Sequence, residues 1–353
     1  MKLLKNVLPF IIVILILLTL CCTAPVRAFA NQNFHIGNRS TANIAVLIYS
    51  FDDFFSSQIK QNLEDIEKEN KDKVHFTFYD GKNNIAIQNE TLDSVIKSDF
   101  DLIIGSLVNS NEDNVENIIF KVKQKNVPLI LLTISPEVVS KVSKYYDKVS
   151  FISSDFNQQG IYQGKLLVDL WNTDKSTIDR NGDNTLQYVL LQGKVNNPIA
   201  IDRTKSVISS INDSGISTEQ LTLINADWSE ELAQSSIESL FLRYSGSLEA
   251  IIANNDSMAI GAVKALQKYG YNKGDKSKNI TVVGIDGIPE AKDLIDKGFM
   301  TGTIVHDPKI FAEQLYTIGM NLIKNLSPIE NTNNKLVDGI IIIPFPYEAY
   351  VIK

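Results

Sequence analysis

Cysteine, histidine and clustered basic residues are all scarce in this chain of 353 residues. Both cysteines precede Ala30, so the remaining chain offers no disulfide, no thiolate metal site and no cysteine nucleophile. The three histidines, His35, His75 and His306, are too widely spaced for a zinc motif. A net charge of −7 without a basic cluster argues against nucleic acid as a partner. We recognise no nucleophile–base pair and no phosphate-binding glycine loop, so the sequence does not favour an enzyme.

The one long apolar run of the chain lies near its N-terminus. It covers Val7–Cys22 and follows two lysines; at about 16 residues it is short for a membrane-spanning helix, which needs ~20. The small-x-small triplet Ala28-Phe29-Ala30 predicts cleavage of a signal peptide before Asn31. A retained membrane anchor and lipidation at Cys21 or Cys22 remain alternatives. In each case we expect an exported protein of the cell envelope or periplasm.

From Asn43 onward, short apolar strands alternate with helical patterns. Continuous apolar strands separated by helices are typical of parallel sheets that are covered on both faces. There are too many such units for one compact sheet, so we predict an α/β fold of two doubly wound lobes. The predicted strands are Ile44–Ile48, Val74–Tyr79, Leu102–Ile104, Leu129–Leu132, Val149–Ile152, Leu186–Leu191, Leu221–Ala226, Leu248–Ala253, Ile280–Ile285, Thr303–Val305 and Gly339–Ile343.

Polar and aromatic residues follow many of these strands, where ligands bind in such folds. The guanidinium of Arg203 donates hydrogen bonds in fixed directions, and the flat ring of Trp228 suits an apolar sugar face. Carboxylates and asparagines at such junctions also cap helices. Several of them at one sheet edge nevertheless favour a site for a polyhydroxylated ligand. The candidates are Asp53, Phe55, Arg203, Trp228, Asn255 and Asp286.

Three segments carry a family resemblance: Ile48–Phe55, Ile252–Val263 and Val283–Ala291. On these segments the chain resembles, over about residues 43–345, the bacterial galactose/glucose-binding proteins of sugar ABC transporters. The resemblance implies the type I periplasmic binding fold, with two lobes joined by a three-crossing hinge. It also implies a binding protein rather than an enzyme, which captures a monosaccharide by hinge closure and delivers it to a transporter permease.

The resemblance assigns roles to individual residues. It implies that Phe55 and Trp228 sandwich the pyranose, and that its hydroxyls are bound by Asp53, Arg203, Asn255 and Asp286. The chain departs from the family where Ser106 and His306 replace asparagines, Asn197 replaces a histidine and Ile199 replaces an aspartate. Ser106, Asn197 and His306 remain candidate sugar-binding residues. Because Ile199 accepts no hydrogen bond, a buried hydroxyl there loses roughly 1–3 kcal/mol. We therefore expect galactose or glucose bound weakly, or a different sugar.

Oxygen-bearing side chains alternate through the segment Asp179–Gln187. They stand at positions 1, 3, 5 and 9 of an EF-hand-like loop, and position 7 offers its carbonyl. Asn184 replaces the usual glycine and tolerates a left-handed conformation. The resemblance implies that Glu249 supplies the carboxylate that position 12 lacks. We expect a structural Ca²⁺ ion; a surface loop with chance alternation is the alternative. The candidate ligands are Asp179, Asn181, Asp183, Thr185, Gln187 and Glu249.

The hinge crossings are expected near Val127–Leu129, Val305–Asp307 and Gly339–Ile341. They divide the chain into a signal peptide or anchor (1–30), a linker (31–42), an N-terminal lobe (43–127 and 307–338) and a C-terminal lobe (129–304 and 340–353).

Three other functions compete with a transporter subunit. The main alternative is a membrane-anchored sugar sensor that signals to a histidine kinase or a chemoreceptor. A cytoplasmic sugar-responsive repressor is disfavoured, because no helix-turn-helix precedes Asn43 and the export signal contradicts it. A glycosidase using Asp53 and Asp286 is also disfavoured, because neither acid lies in an obvious apolar environment in the sequence.

Overall fold

The structure is a computed structural model that describes residues 41–352. The predicted signal peptide or anchor, and all but the last two residues of the predicted linker, lie outside these residues. Within them, thirteen strands form two sheets. The strands are β1 (Ala42–Ile48), β2 (Val74–Asp80), β3 (Leu102–Ser106), β4 (Leu129–Leu132), β5 (Val149–Ser154), β6 (Thr185–Gln192), β7 (Ser217–Asn225), β8 (Ala250–Ala253), β9 (Thr281–Asp286), β10 (Gly302–Val305), β11 (Lys335–Val337), β12 (Ile340–Ile343) and β13 (Glu348–Val351).

Eleven α-helices connect the strands of the described chain. They are α1 (Phe54–Glu69), α2 (Ile85–Lys97), α3 (Glu112–Lys123), α4 (Pro136–Val142), α5 (Phe156–Thr173), α6 (Lys175–Ile178), α7 (Pro198–Asp213), α8 (Glu230–Tyr244), α9 (Asp256–Lys268), α10 (Pro289–Asp296) and α11 (Pro308–Ile323). Within residues 41–352, none of the helices is long and apolar enough to cross a membrane.

The two sheets are almost entirely parallel. The first has the order β11-β12-β5-β4-β3-β1-β2, and the second has the order β13-β10-β9-β8-β6-β7. One edge pair in each sheet is antiparallel, β11 with β12 and β13 with β10. This arrangement confirms the predicted fold of two doubly wound lobes, which is the type I periplasmic binding fold.

The apolar strands form because both of their faces are buried. In β1, Ile44, Val46 and Ile48 pack into one core cluster, whereas Ala45 and Leu47 pack into another on the opposite face. Alternate side chains of a strand point to opposite faces, so a strand covered on both sides must be apolar throughout. The continuous apolar runs of the sequence have this origin.

Strand pairing shows that two of the expected hinge crossings are wrong. Strands β4 and β5 pair in the first sheet beside β3, so the first lobe continues past residue 127 to Ser154. Strand β12 pairs with β5, so the chain leaves the first lobe after Ile343, beyond the expected Gly339–Ile341. The first lobe therefore contains residues 41–154 and 308–343. Neighbouring parallel strands are equally apolar, and the sequence does not show which sheet each one joins.

The three connections between the lobes run from β5 to α5, from β10 to α11 and from β12 to β13. The second passes through His306 and Asp307, where the sequence placed it. Helix α11 packs on α1 in the first lobe, and its Phe311 joins the core cluster there. All three connections begin at carboxyl ends of strands, which brings them to the edge where a ligand would bind.

Candidate functional site

A cavity of about 140 Å³ lies at the carboxyl ends of the strands, with walls from both lobes. An apolar cavity of about 150 Å³ can hold one benzene molecule, so this space suits a single small ring. The cavity brings together all nine residues predicted to contact the ligand: Asp53, Phe55, Ser106, Asn197, Arg203, Trp228, Asn255, Asp286 and His306.

Trp228 is held in position by an unusual backbone and by a glycine behind its ring. Asp227 and Trp228, just after β7, have φ angles of +49° and +66°. A Cβ atom on Gly193 would lie 2.2 Å from Cζ2 of the indole, so only glycine permits the ring to pack against this backbone. The Asn255 amide contacts the Trp228 carbonyl at 3.5 Å. The indole is thereby fixed as one wall of the cavity.

Arg203 is buried in the first turns of α7, and each of its three guanidinium nitrogens has a protein partner. Nε donates to Oε1 of Gln159 at 2.6 Å, and Nη1 donates to the Asn254 carbonyl at 2.6 Å. Nη2 lies 3.3 Å from Oδ1 of Asp286. The guanidinium carbon also lies 6.0 Å from the centre of the Trp228 ring. These contacts orient the planar guanidinium group before any ligand binds.

Asp286 lies at the end of β9 with a φ angle of +123°, and its side chain is 10% exposed. Burial raises the pKa of its carboxyl to about 7; the Arg203 charge opposes this shift and the Asp53 charge adds to it. The expectation that neither Asp53 nor Asp286 lies in an apolar environment is therefore wrong for Asp286, because its surroundings are set by residues distant in the chain.

Asp256 lies behind Asp286 as a second buried carboxyl. Burial raises its pKa to about 8, and the charge of Asp286 adds to the shift. Thr303 donates its hydroxyl to Oδ1 at 2.6 Å, and the Ile288 amide donates to Oδ2 at 2.9 Å. These bonds tie the start of α9 to the strands beneath the cavity.

Three of the predicted site residues are also helix N-caps. Oδ1 of Asp53 accepts from the Ser56 amide at 2.8 Å, and Oδ1 of Asn255 accepts from the Met258 amide at 3.0 Å. Asn197 caps α7 in the same way. The capping interpretation and the binding interpretation are therefore compatible: one oxygen caps the helix, and the same bond fixes the side chain at the cavity wall.

His306 stacks on Phe55 with ring centroids 4.3 Å apart and an interplanar angle of 12°. Phe345, from the third connection, packs against its edge. Neither imidazole nitrogen has a hydrogen-bond partner among the described residues. Burial lowers the pKa of His306 well below its usual value, and the charge of Arg203 lowers it further. His306 is thus a neutral, buried donor and acceptor at the cavity wall.

The cavity contains residues that the sequence did not single out as ligand contacts. Tyr49, Phe156 and Lys194 line it together with Ile199, which contributes an apolar surface. Gln159, also overlooked, lies within α5 and orients Arg203. Of these residues, Lys194 has the clearest sequence signal, because it closely follows the predicted strand Leu186–Leu191, at the carboxyl end where ligands bind.

The predicted calcium ligands also come together. Oε1 of Glu249 accepts from the backbone amides of Arg180 and Asn181 at 2.7 and 3.2 Å, and Oε2 accepts from that of Gln187 at 3.1 Å. Side-chain bonds link Asp183 to Asn181 and to Gln187 at 3.0 and 2.7 Å. The remote glutamate therefore lies against the loop, although it is distant in sequence.

Two features of the loop bear on a cation. Oδ1 of Asp179 is buried without a hydrogen-bond partner, and Asn184 has the left-handed φ angle of +68° that its position predicts. Lys175 lies 3.2 Å from Oδ2 of Asp179, and it would have to move to admit an ion. Within the described residues, no group of three or more His, Cys, Asp or Glu side chains is arranged to hold a metal. All of the predicted donors are oxygen atoms, which is the ligand type that hard cations prefer.

Comparison with known proteins places this chain in a family. A family model described as a periplasmic binding protein domain matches residues 44–327. The D-galactose/methyl-galactoside binding periplasmic protein MglB of Haemophilus influenzae is 31% identical over 319 residues, which is 90% of this chain and 91% of that relative. A xylitol-binding protein of Mycolicibacterium smegmatis is 23% identical over 266 residues, covering 75% and 68% of the two chains.

Solved structures share the fold at lower identity. An ABC transporter solute binding protein from Bacillus halodurans with bound myo-inositol superposes with a TM-score of 0.71 at 21% identity, covering 89% of this chain and 96% of that one. The family model matches well over half of the chain, and the Haemophilus relative matches it almost from end to end. The chain therefore belongs to the periplasmic binding protein family.

Proposed function

We propose that the protein binds one monosaccharide between its lobes, closes around it and presents it to an ABC transporter permease. The observation that carries this proposal is a single cavity lined by Trp228, Phe55 and the buried Arg203–Asp286 pair. Aromatic rings suit the C–H faces of a sugar ring, and a fixed guanidinium and carboxylate suit its hydroxyls. Hinge motion of two lobes is the usual way in which such folds enclose a ligand.

The unpartnered imidazole of His306 supports a ligand rich in hydroxyls. A buried polar group without a hydrogen bond costs roughly 1–3 kcal/mol. A neutral imidazole has one donor and one acceptor, and a sugar hydroxyl can serve either of them. Binding of such a ligand would offset the cost of burying His306.

Within this class we propose a hexose of the galactose or glucose type, which is also the kind of ligand in the name of the Haemophilus relative. Isothermal titration of the purified chain with D-galactose, D-glucose, D-xylose, L-arabinose and D-ribose tests both the proposal of sugar binding and the assignment to a hexose. We expect heat from D-galactose or D-glucose. Tighter binding of a pentose would contradict the hexose assignment alone, whereas no heat from any sugar would contradict sugar binding.

We propose in addition that the loop Asp179–Gln187 and Glu249 hold a structural Ca²⁺ ion. The buried, unpartnered Oδ1 of Asp179 and the proximity of Glu249 support it. Bound calcium would supply positive charge that neutralises these carboxylates. The loop leads directly into β6, and the residues that follow β6 line the cavity. Bound calcium would therefore stiffen the lobe on that side of the cavity.

A sensor role remains the second candidate, because the apolar run Val7–Cys22 would serve as a retained anchor as well as a signal peptide. N-terminal sequencing of the protein isolated from cells discriminates between the two. A mature N-terminus at Asn31 supports a released transporter receptor, and an intact Met1 supports an anchored sensor that reports to a membrane kinase or chemoreceptor.

A further inference from the structure

Lys194 reaches across the cavity from one lobe to the other. It follows β6 in the second lobe, and its ammonium donates to Oδ1 of Asn83 at 2.9 Å. It also lies 3.5 Å from the Val108 carbonyl. Asn83 and Val108 belong to the loops after β2 and β3 of the first lobe. Within residues 41–352, no carboxylate forms an ion pair with Lys194, so these neutral acceptors are its protein partners.

The two acceptors are positioned independently of Lys194. The amide of Asn83 donates to the Tyr49 carbonyl at 2.7 Å, in a tight turn where Asn83 has a φ angle of +49°. The amide of Val108 donates to Oε1 of Gln88 at 2.8 Å, and Nε2 of Gln88 donates to the Ser106 carbonyl at 2.9 Å. The first lobe therefore offers a prepared site for a cationic donor.

Lys194 is in turn tied to the ligand wall of the second lobe. The adjacent Gly193 donates its amide to Oδ1 of Asn254 at 3.2 Å and packs against the Trp228 indole. The Lys194 carbonyl accepts from the amide of Asn197, which caps the helix that carries Arg203. A movement of the ligand-contacting wall must therefore carry Lys194 with it.

We propose that Lys194, with Asn83 and Val108, forms a closure latch that holds the two lobes together around a bound ligand. The proposal rests on ligand binding between the lobes as proposed above. Lys194 acts here as a positioning residue: its hydrogen bonds form only when the lobes meet, after the ligand has docked on the open form. The latch therefore slows ligand release and has little effect on ligand association.

The test is stopped-flow measurement of D-galactose association and dissociation, followed by intrinsic tryptophan fluorescence. We expect Lys194→Met to accelerate dissociation about tenfold, equivalent to about 1.4 kcal/mol, with the association rate unchanged. Methionine keeps the long apolar stem and removes only the donors. Lys205→Met is the matched control, because it removes an exposed lysine of the same lobe, and it should leave both rates unchanged.

Asn83→Asp provides a second, independent arm. It turns the latch into an ion pair and tolerates the left-handed backbone at this position. We expect it to slow dissociation when Lys194 is present and to have no such effect in the Lys194→Met background. Equal dissociation rates for Lys194→Met and the unaltered chain would overturn the latch, as would slowing by Asn83→Asp without Lys194. Absence of sugar binding by the unaltered chain would instead overturn the proposed function, and the latch with it.

Discussion

Replacing Gly193 by alanine should weaken sugar binding while leaving the fold intact. The new Cβ would lie 2.2 Å from Cζ2 of Trp228, and its next contacts are at 2.3 and 2.4 Å on the same ring. Carbon atoms pack at ~3.5–4.0 Å, so the indole must move by about 1.5 Å. Gly193 itself has no positive φ angle, so alanine is compatible with its backbone and the ring carries the whole effect.

The size of the effect follows from where the ring can go. Overpacking in a filled core costs ~1–3 kcal/mol, but this indole borders a cavity and can move into it. We therefore expect a fall in melting temperature of a few degrees, the size of shift that ~1 kcal/mol produces. A ring displaced into the ligand space blocks the sugar directly, and we expect an affinity loss of at least about tenfold, or ~1.4 kcal/mol.

Isothermal titration with the tightest-binding sugar and a thermal melt together measure both quantities. Gly246→Ala is the control, because its Cβ would meet no heavy atom within 4 Å and Gly246 has no positive φ angle. It should bind as the unaltered chain does. Unchanged affinity of Gly193→Ala would refute the role of Trp228 as a wall of the site, and so would a loss of binding that merely tracks global unfolding.

Three further predictions concern the acceptors, the ion and the buried acids. Ile199→Asp should raise the affinity for D-galactose or D-glucose about tenfold or more, because it restores a hydroxyl acceptor. Isothermal titration of the variant and of the unaltered chain measures this change, and unchanged affinity would mean that position 199 does not contact the sugar. EGTA should lower the melting temperature of the unaltered chain and leave that of Glu249→Gln unaffected; equal responses would argue against the calcium site. Burial raises the pKa of Asp286 to about 7 and of Asp256 to about 8. Both carboxyls then hold protons in the folded state at pH values where the unfolded chain has lost them, so the free energy of unfolding should fall as pH rises from about 4 to 8. Urea titrations at a series of pH values measure this free energy for the unaltered chain and for Asp256→Asn. It should fall less steeply with pH in the variant, and an identical pH dependence would contradict the raised pKa of Asp256.

Much of the fold could be predicted because parallel strands buried on both faces leave a clear signature. Eleven strands were expected from continuous apolar runs, and each has a counterpart in the structure. The two that were missed, β11 and β13, are short edge strands in which most residues are exposed. An edge strand pairs on one side only, so it needs no apolar pattern to be stable.

The site was predictable to the extent that topology alone decides it. Residues at the carboxyl ends of parallel strands must meet at one edge, which is why Asp53, Arg203 and Asp286 line one cavity. Gln159 left no such signal. It lies in the first turn of α5, and only the packing of α5 against α7 brings it to Arg203.

The sequence by itself determined the two-lobed α/β architecture, the family resemblance and the residues that meet at the cavity, because these depend on local periodicity and on position along each strand. Only the tertiary structure decided where the lobes divide, since the strands are similarly apolar and their sequences do not show which strands they pair with. It also decided that Asp286 is buried with a raised pKa, that Gly193 leaves room for the Trp228 ring, and that Lys194 spans the lobes. Each of these three depends on contacts between residues far apart in the chain.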